Sequence, residues 1–264
     1  MIIIQNFING KQVPPTSEKY LKNVCPSTGE NYSLIPNSEE TDVNQAVEAA
    51  QKSFKSWSAI PKQERSDILM HLADEIEAHS EELVIAESRD NGKPEWLART
   101  VDIPRAPENF RFFATAILHF ESEIHEMDGK AINYTLRQPI GVAGCISPWN
   151  LPLYLLTWKV APAMAAGNTV VAKPSEITPM TAYLFGKICQ KAGLPKGVLN
   201  IVHGTGEKVG DPLTRHPDVP IISFTGGTET GGKIASATAP LFKKLSLEMG
   251  GKNPNIIFSD AKFE

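Results

Sequence analysis

Apolar residues in the first part of the chain recur at the spacing of amphipathic helices. The first such stripe, which follows Thr41, consists of Val43, Ala46, Val47, Ala50, Phe54 and Trp57. A second helix is predicted to begin at Pro61, because proline is favoured at a helix start. A third begins near Ser80 and ends at the Asn91-Gly92 pair. The first third of the chain is therefore predicted to be mainly helical.

The pattern changes along the middle of the chain. Pro104 and Pro107 interrupt a helical pattern between residues 96 and 120, which predicts two helices joined at a bend. Residues 130–140 alternate between apolar and polar side chains, which is typical of a strand. These elements precede the segment in which the main sheet is predicted.

From Gly141 onward, short apolar runs alternate with helical patterns. The runs are VAGCIS (142–147), TVVAK (169–173), VLNIVH (198–203), PIISFTG (220–226), KKLSLEM (243–249) and NIIF (255–258). Strands that are buried on both faces have such continuous apolar sequences, and their alternation with helices indicates a parallel sheet. We therefore predict an α/β fold with a doubly wound, mostly parallel, Rossmann-like sheet. Such sheets bind ligands at the carboxyl ends of their strands.

The composition argues against several classes of protein. The 264 residues suffice for one large or two modest domains, and 41% hydrophobic with 21% charged residues is ordinary for a globular protein. A net charge of -4 without Lys/Arg runs argues against a nucleic-acid partner. The chain lacks a long apolar segment, a secretory signal and a metal-like histidine spacing, so we expect a cytoplasmic protein without membrane or metal.

Candidate chemistry follows two of the predicted strands. Asn150 lies between Pro148 and Pro152, and prolines that immobilise the backbone would hold its amide as a fixed donor to a developing oxyanion. The alternative is an ordinary turn-forming asparagine. After the next strand, Lys173 and Glu176 are placed to hydrogen-bond the ribose hydroxyls of a nucleotide. The alternative for this pair is a solvated ion pair in a loop.

Two further strand ends carry polar or glycine-rich sequences. FTGGTETGG (224–232) opens a helical pattern, where main-chain N–H groups can bind a pyrophosphate, although its glycines depart from the G-x-G-x-x-G spacing. Glu248 stands at the end of the fifth run, and from a partly buried position it would act as a general base toward a water molecule. An ordinary carboxylate at a strand end is the alternative. Together, the four strand ends favour a functional site.

The segments ISPWNLP, AAGNTVVAKPSE, ISFTGGTETG and LEMGGKNP, in this order and spacing, resemble the aldehyde dehydrogenase superfamily. The resemblance extends over the whole chain, from FINGK near the start. It implies an NAD-binding domain over residues 1–247 and the start of a catalytic domain over residues 248–264. It also implies that a hairpin over about residues 125–140 contributes to a homodimer or homotetramer.

The resemblance implies roles for individual residues. Asn150 would stabilise the oxyanion, Glu248 would be the general base, and Lys173 with Glu176 would hold the adenine ribose and favour NAD over NADP. Gly227 stands where the family commonly has serine, which removes one hydroxyl contact to phosphate. The other positions that correspond to cofactor contacts are Ile146, Ser147, Pro148, Trp149, Ser175, Gly206, Gly210, Phe224, Thr225, Gly226, Thr228, Gly231, Met249 and Gly250, with Glu248 itself among them.

The nucleophile that this chemistry requires is missing from the expected place. In the family, a catalytic cysteine follows the glutamate by a few tens of residues and forms a thiohemiacetal with the aldehyde. Transfer of a hydride to the nicotinamide converts the thiohemiacetal to a thioester, which water then hydrolyses. The chain has only Cys25, Cys145 and Cys189, none of which follows Glu248. We therefore expect the cofactor-binding part of a dehydrogenase that is truncated before its catalytic domain. A naturally short, non-catalytic form that binds NAD or partners longer subunits is the alternative.

The substrate is suggested by the segments TVDIPRAPENFRFFA and SPWNLPLYLLTWKVAPAMAAGNT. They look most like family members that oxidise 2-aminomuconate or 2-hydroxymuconate semialdehyde, which bear a carboxylate. Arg105 is the candidate partner of that carboxylate, since a guanidinium binds a carboxylate through two hydrogen bonds. The alternatives are a helix-surface arginine at this position and a betaine-aldehyde type of substrate.

Overall fold

The computed structural model of the chain describes residues 1–251 and 253–262. The strands are β1 (Ile2–Ile3), β2 (Asn6–Ile8), β3 (Lys11–Val13), β4 (Tyr20–Val24), β5 (Asn31–Pro36), β6 (Ile124–Met127), β7 (Ala131–Tyr134), β8 (Val142–Ile146), β9 (Thr169–Lys173), β10 (Leu199–Ile201), β11 (Ile221–Gly226) and β12 (Lys244–Met249). The α-helices are α1 (Glu40–Ala59), α2 (Lys62–Ala78), α3 (Ser80–Asn91), α4 (Glu95–Leu97), α5 (Ile103–Ala116), α6 (Pro152–Ala165), α7 (Met180–Lys191), α8 (Asp211–Arg215) and α9 (Thr228–Thr238).

Seven strands form the main sheet in the order β12-β11-β8-β9-β10-β2-β3. The five strands from β12 to β10 are parallel, whereas β2 and β3 join the far edge in antiparallel pairing. The prediction of an α/β fold with a mostly parallel sheet is therefore confirmed. After β10 the chain returns to the other side of β8, so the strand order reverses between β8 and β11. In sheets of this type, ligands bind in the crevice at that point.

The two faces of the sheet are covered by different helices. Val170 and Ala172 of β9 belong to a core cluster with residues of α2, α3, α5, α6 and α7, whereas Val171 belongs to a second cluster with α1, α8 and α9. Successive side chains of a strand point to opposite faces, so β9 contributes to both cores. This two-sided burial is the reason that the central strands are continuously apolar.

The three predicted helices of the first third are confirmed as α1, α2 and α3. The helix α3 ends at Asn91, and Gly92 closes it in the left-handed conformation with φ 79°. The expected bend between two helices is only partly right. The chain stays helical from α4 to α5, and a π-helical turn over Ala98–Asp102 precedes Pro104, which lies in the first turn of α5. In a regular α-helix the Pro104 ring would clash with the carbonyl of residue 100, and the wider π-helical turn before it lets the helix continue. Pro107 lies inside α5 and does not end it either.

One prediction of secondary structure was wrong, and the strands at the start of the chain were not predicted. The chain before α1 contains β1 to β5. The Asn9-Gly10 turn between β2 and β3 is a strong hairpin signal that could have indicated them. The apolar run NIIF (255–258) is exposed and belongs to no strand among the described residues, because no neighbouring strand there supplies hydrogen bonds to it.

The strand pattern of residues 130–140 corresponds to β7, which forms an antiparallel hairpin with β6. Every residue of both strands is exposed. Its large apolar side chains, including Ile124, Met127 and Ile132, are more than half exposed. The hairpin therefore extends from the domain without a core of its own.

A buried charge cluster connects α3 with the π-helical turn. The ammonium group of Lys93 lies 2.5 Å from a carboxylate oxygen of Asp102 and 3.4 Å from one of Glu87. Both carboxylates are buried. Burial raises the pKa of Glu87 to about 7, against the lowering influence of Lys93. Lys93 thus neutralises only part of the acid that surrounds it.

We expect Gly92→Ala to destabilise the protein more than Gly193→Ala. Both glycines follow helices with positive φ, where an alanine side chain costs roughly 1 kcal/mol. A Cβ at Gly92 would lie 2.9 Å from Cγ of Pro26, whereas a Cβ at Gly193 would meet no described atom within 4 Å. Urea denaturation of both variants measures the difference. Equal losses of unfolding free energy in the two variants would contradict the prediction and show that the Pro26 ring can move aside without destabilising the protein.

Glu87→Gln should remove part of the pH dependence of stability. The folded-state pKa of about 7 lies above the ordinary value of 4.5, so the folded protein holds a proton that the unfolded chain has lost between these values. The parent protein should therefore lose on the order of 3 kcal/mol of unfolding free energy as pH rises from 4.5 to 7. Urea denaturation at several pH values should show a flatter profile for the variant. An unchanged profile would contradict the assignment to Glu87.

Candidate active site

The loop after β8 carries Asn150 at the end of the sheet where the strand order reverses. Asn150 and Trp149 are exposed, and both main-chain carbonyls accept hydrogen bonds from the end of α3. Nδ2 of Asn91 lies 2.8 Å from the carbonyl oxygen of Trp149 and 3.4 Å from that of Asn150. Nζ of Lys93 donates to the Asn150 carbonyl at 3.0 Å. The loop is therefore attached to a helix end outside the sheet.

A cleft of about 790 Å³ brings the ends of β8, β11 and β12 together. It is lined by Pro148, Trp149, Asn150, Thr225, Gly226, Gly227, Glu248, Met249, Gly250, Gly251 and Asn253. Asn150 and Glu248, which are distant in sequence, thus border one cavity. An amide donor and a carboxylate that share a cleft can act on the same carbonyl compound, one by hydrogen bonding and the other by accepting a proton from water.

Glu248 lies on β12, opposite Thr225 of the neighbouring strand β11. Its side chain is exposed, in contrast to the partial burial that the sequence led us to expect. The reason is that β12 is the last strand of the sheet, so only β11 covers it among the described residues. Glu248 also borders a second cavity, of about 380 Å³, which continues along the same face of the sheet.

Lys159 of α6 is a charged residue near the site that sequence reasoning missed. It is buried, lines the cavity that Glu248 borders, and its Nζ lies 3.4 Å from Oγ of Ser223. Burial lowers the pKa of this lysine, while the charge of Glu248 raises it. A lysine in the otherwise apolar segment TWKVAPAMAA was the available signal. The structure therefore adds a cation to the face on which Glu248 lies.

A separate cleft of about 430 Å³ lies on the opposite face of the sheet. Ile146, Phe224 and Ile234 provide apolar walls, and Lys173 lies at the end of β9 beside them. Nζ of Lys173 contacts a carboxylate oxygen of Glu176 at 2.6 Å. The side chain of Lys173 is 5% exposed and that of Glu176 is 34% exposed, so the pair is not a fully solvated one. An apolar slot with a polar end suits a nucleoside.

The glycines of the site have two different functions. Gly206 and Gly210 line the 430 Å³ cleft, called the nucleoside-sized cleft below. A Cβ on Gly206, Gly210 or Gly227 would meet no described atom within 4 Å. These positions leave room for a ligand next to the main chain. In contrast, a Cβ on Gly231 would collide with the sulfur of Met249. Gly231 therefore allows α9 to approach β12 and does not border either cleft.

The other predicted cofactor positions are distributed around these clefts. Thr225, Gly226, Met249 and Gly250 line the larger cleft. Ser147 is buried, and its hydroxyl oxygen has no hydrogen-bond partner among the described residues. The hydroxyl of Ser175 accepts a hydrogen bond from the main-chain N–H of Ile177 at 3.2 Å. Thr228 is the first residue of α9. Neither serine nor Thr228 belongs to the lining of the two clefts.

All three cysteines are buried and reduced. Burial raises the pKa of Cys145 to about 12 and also raises the pKa of Cys189, so both are held as neutral thiols. Hydrogen bonding by Ser27 lowers the pKa of Cys25, which lies between β4 and β5, away from both clefts. None of the three combines an activated thiol with access to Glu248.

Arg105 is exposed on α5 and stacks over the ring of Tyr154, with 4.9 Å between the guanidinium carbon and the ring centroid. Tyr154 lies in the first turn of α6, shortly after Asn150. The structure thus places Arg105 beside the helix that leaves the candidate oxyanion loop. Stacking on an aromatic ring leaves the N–H groups at the guanidinium edge free for other contacts.

Two features are absent from the described residues. No group of histidine, cysteine or acidic side chains with a metal-binding arrangement occurs in residues 1–251 and 253–262. Within the same residues, every helix is too short or too polar to cross a membrane.

Comparison with known proteins places the chain in a family. The model of the aldehyde dehydrogenase family matches residues 13–264. The 2-aminomuconic semialdehyde dehydrogenase of Bos taurus is 56% identical over 262 residues, which cover 99% of this chain and 53% of that protein. The 2-hydroxymuconic semialdehyde dehydrogenase of Pseudomonas sp. (strain CF600) is 46% identical, with 99% and 55% coverage.

A solved structure agrees with this assignment. The NAD+ complex of an aldehyde dehydrogenase from Bacillus cereus superimposes with a TM-score of 0.93 at 38% identity and covers 98% of this chain and 53% of that one. The chain spans about half the length of the relatives that it matches. The match nevertheless extends over nearly the whole chain, and the chain belongs to the aldehyde dehydrogenase family.

Proposed function

We propose that the protein oxidises an aldehyde to the corresponding acid with NAD, and that its substrate is a semialdehyde with a carboxylate, such as 2-aminomuconate semialdehyde. The observation that carries the proposal is the shared cleft of Asn150 and Glu248 at the strand-order reversal. The nucleoside-sized cleft on the opposite face of the sheet supports a dinucleotide as the second ligand. The relatives named above support the substrate class.

The residues present fit NAD. Gly206 and Gly210 leave space beside the nucleoside-sized cleft, and Gly227 leaves space at the start of α9. The N-terminus of α9 favours a negatively charged pyrophosphate. Lys173 and Glu176 would bind the ribose hydroxyls, and the carboxylate of Glu176 would repel a 2′-phosphate. When bound, NAD accepts the hydride that the aldehyde carbon loses.

The chain's own residues supply the two polar functions of the reaction. The side-chain amide of Asn150 donates a hydrogen bond to the aldehyde oxygen as negative charge develops on it. Glu248 then accepts a proton from the water that hydrolyses the thioester, and the products are a carboxylic acid and a regenerated thiol. Since Cys25, Cys145 and Cys189 are buried, the thiolate nucleophile would come from the catalytic half that the relatives possess.

Arg105 is the proposed partner of the substrate carboxylate. Its position over Tyr154, at the beginning of the helix after Asn150, supports this role. Tyr154 also packs near Trp158, which in turn contacts Phe113 edge to face. This aromatic row along α6 would hold the apolar chain of the substrate while Arg105 binds its charged end. A betaine-aldehyde type of substrate, which carries a positive charge, would be repelled by the guanidinium.

We also propose that the hairpin β6–β7 takes part in a homodimer or homotetramer in a cytoplasmic protein. Its exposed apolar side chains support an interface, because such side chains are usually covered in a stable assembly. A second candidate function is a non-catalytic form that binds NAD or partners longer subunits, and the burial of all three cysteines favours it. NAD binding without NADH formation by the complete natural protein would identify this second form.

Glu248→Gln in the full-length protein should leave the first turnover intact and slow the following ones. A glutamine cannot accept the proton of the hydrolytic water, so a burst of about one NADH per site should precede a steady state that is roughly 10²–10⁴ times slower. Stopped-flow absorbance of NADH measures both phases. The matched control is Glu229→Gln on the exposed side of α9, which should change neither. If the burst and the steady-state rate fell by the same factor, Glu248 would also act before hydrolysis, which would contradict the proposed role.

Arg105→Ala should raise KM for semialdehydes that carry a carboxylate by about ten- to a hundredfold, because a charge-assisted pair of hydrogen bonds is lost. KM for neutral aldehydes of similar size should stay unchanged. Initial rates of NADH formation with both classes of aldehyde measure the effect. Arg99→Ala, which removes another exposed helix arginine, serves as the control. An equal effect of Arg105→Ala on charged and neutral aldehydes would contradict the proposal.

A further inference from the structure

We propose that Asn91 and Lys93 are positioning residues that orient Asn150 through its main chain. The inference rests on the proposed role of Asn150 as the oxyanion donor. Neither residue borders the cleft that Asn150 and Glu248 share, and neither was singled out as a site residue from the sequence. Their contribution would therefore be to hold the loop after β8 in one conformation.

The contacts fix both peptide planes that flank Asn150. The carbonyl of Trp149 belongs to the plane before Asn150, and it accepts a hydrogen bond from Asn91 at 2.8 Å. The carbonyl of Asn150 belongs to the following plane, and it accepts from Lys93 at 3.0 Å and from Asn91 at 3.4 Å. Because peptide units are planar, fixing two neighbouring planes fixes φ and ψ of the residue between them. The direction in which the Asn150 side chain leaves the backbone is then fixed as well.

The segment that makes these contacts is itself held firmly. The main-chain N–H of Gly92 donates to the Ser88 carbonyl at 2.8 Å and ends α3. The hydroxyl of Ser88 donates to the carbonyl of Lys93 at 2.6 Å. Asp90, immediately before Asn91, is buried and accepts the N–H of Met180 at 2.6 Å. Both donors to the Asn150 loop are therefore attached to a part of α3 that packs against α7.

The charge of Lys93 strengthens the contact and extends it. Hydrogen bonds from an ammonium group are stronger than those between neutral groups, and the side chain of Lys93 is only 9% exposed. The same ammonium group binds Asp102 at 2.5 Å, in the π-helical turn directly before α5. One lysine thus connects the loop of Asn150 to the helix that carries Arg105. The oxyanion donor and the proposed carboxylate partner are held relative to each other through this contact.

The test uses Asn91→Ala in the full-length protein. Loss of the two hydrogen bonds leaves, among the described residues, only the Thr178 hydroxyl at 3.3 Å on the Trp149 carbonyl and only Lys93 at 3.0 Å on the Asn150 carbonyl. The loop is then held less firmly, so kcat should fall about ten- to a hundredfold, because small misplacements of catalytic groups have effects of that size. The Kd for NAD should be unchanged. In an Asn150→Ala background, Asn91→Ala should have no further effect on kcat, because Asn91 acts through Asn150. The same fold loss in both backgrounds would overturn the proposal.

Lys93 needs a more conservative design, because Lys93→Met would leave Glu87 and Asp102 buried without a counter-charge. Lys93→Arg retains the charge and a donor, and should retain most of kcat, whereas Lys93→Met combined with Glu87→Gln and Asp102→Asn, which neutralise both buried carboxylates, should lose about tenfold or more. Lys243→Met is the matched control, since its ammonium group also donates to a main-chain carbonyl, that of His216, but at the opposite end of the strands. It should leave kcat unchanged. A Lys93→Met/Glu87→Gln/Asp102→Asn protein with the parental kcat would overturn the role of Lys93.

A measurement without catalysis distinguishes this proposal from the proposed function. In protein labelled with 5-fluorotryptophan, the ¹⁹F resonance of Trp149, assigned with Trp149→Phe, reports the conformation of the loop. Asn91→Ala should shift or broaden this resonance and leave the resonance of the buried Trp57 unchanged. An unchanged Trp149 resonance would overturn the positioning role. If the parent protein forms no NADH from any aldehyde, the proposed function fails, and this resonance alone decides the positioning role.

Discussion

The parallel pairing of β8 with strands on both of its sides is the constraint on which the site depends. The chain leaves β8 toward β9 and β10, then returns to place β11 on the other side. The helices after β8 and β11 consequently cover opposite faces of the sheet, and the strand ends between them stay open. This opening is what allows Asn150 and Glu248, far apart in the sequence, to border one cleft. The proximity of these two residues is therefore a consequence of topology first and of local sequence second.

Three buried or half-buried lysines give the site its electrostatic character, and each has a different partner. Lys93 is held by two carboxylates, Lys173 by the single carboxylate of Glu176, and Lys159 by a hydroxyl group. A carboxylate partner compensates for the loss of hydration, whereas a hydroxyl does so only weakly. This difference explains why burial lowers the pKa of Lys159.

The sequence was sufficient to predict the parallel strands, because strands that are buried on both faces are continuously apolar. TVVAK coincides with β9, and the Asn91-Gly92 stop coincides with the end of α3. The sequence was insufficient to predict an element that forms only when a neighbouring strand is available. The run NIIF is apolar enough for a strand, but strand formation requires a neighbour that its own residues do not specify. The predicted boundary between residues 247 and 248 lies within β12, whose pairing with β11 continues to Met249.

The candidate site likewise contains residues that the sequence indicated and residues that it did not. The strand-end rule located Asn150, Lys173, Gly227 and Glu248, because it follows from topology alone. Lys159 and the donors on α3 escaped notice, since their proximity arises from packing between helices. Such contacts leave no spacing pattern in the chain.

The contact between Gly231 and Met249 has a consequence for redesign of the protein. Any side chain at position 231 would displace Met249, which directly follows Glu248 on β12. A substitution at Gly231, in the first turn of α9, would therefore also move the Met249 side chain, which lines the larger cleft together with Glu248. Engineering of one ligand site would alter the other through a single glycine. Positions on the far side of the nucleoside-sized cleft, such as Glu207, offer a route that is mechanically independent of Glu248.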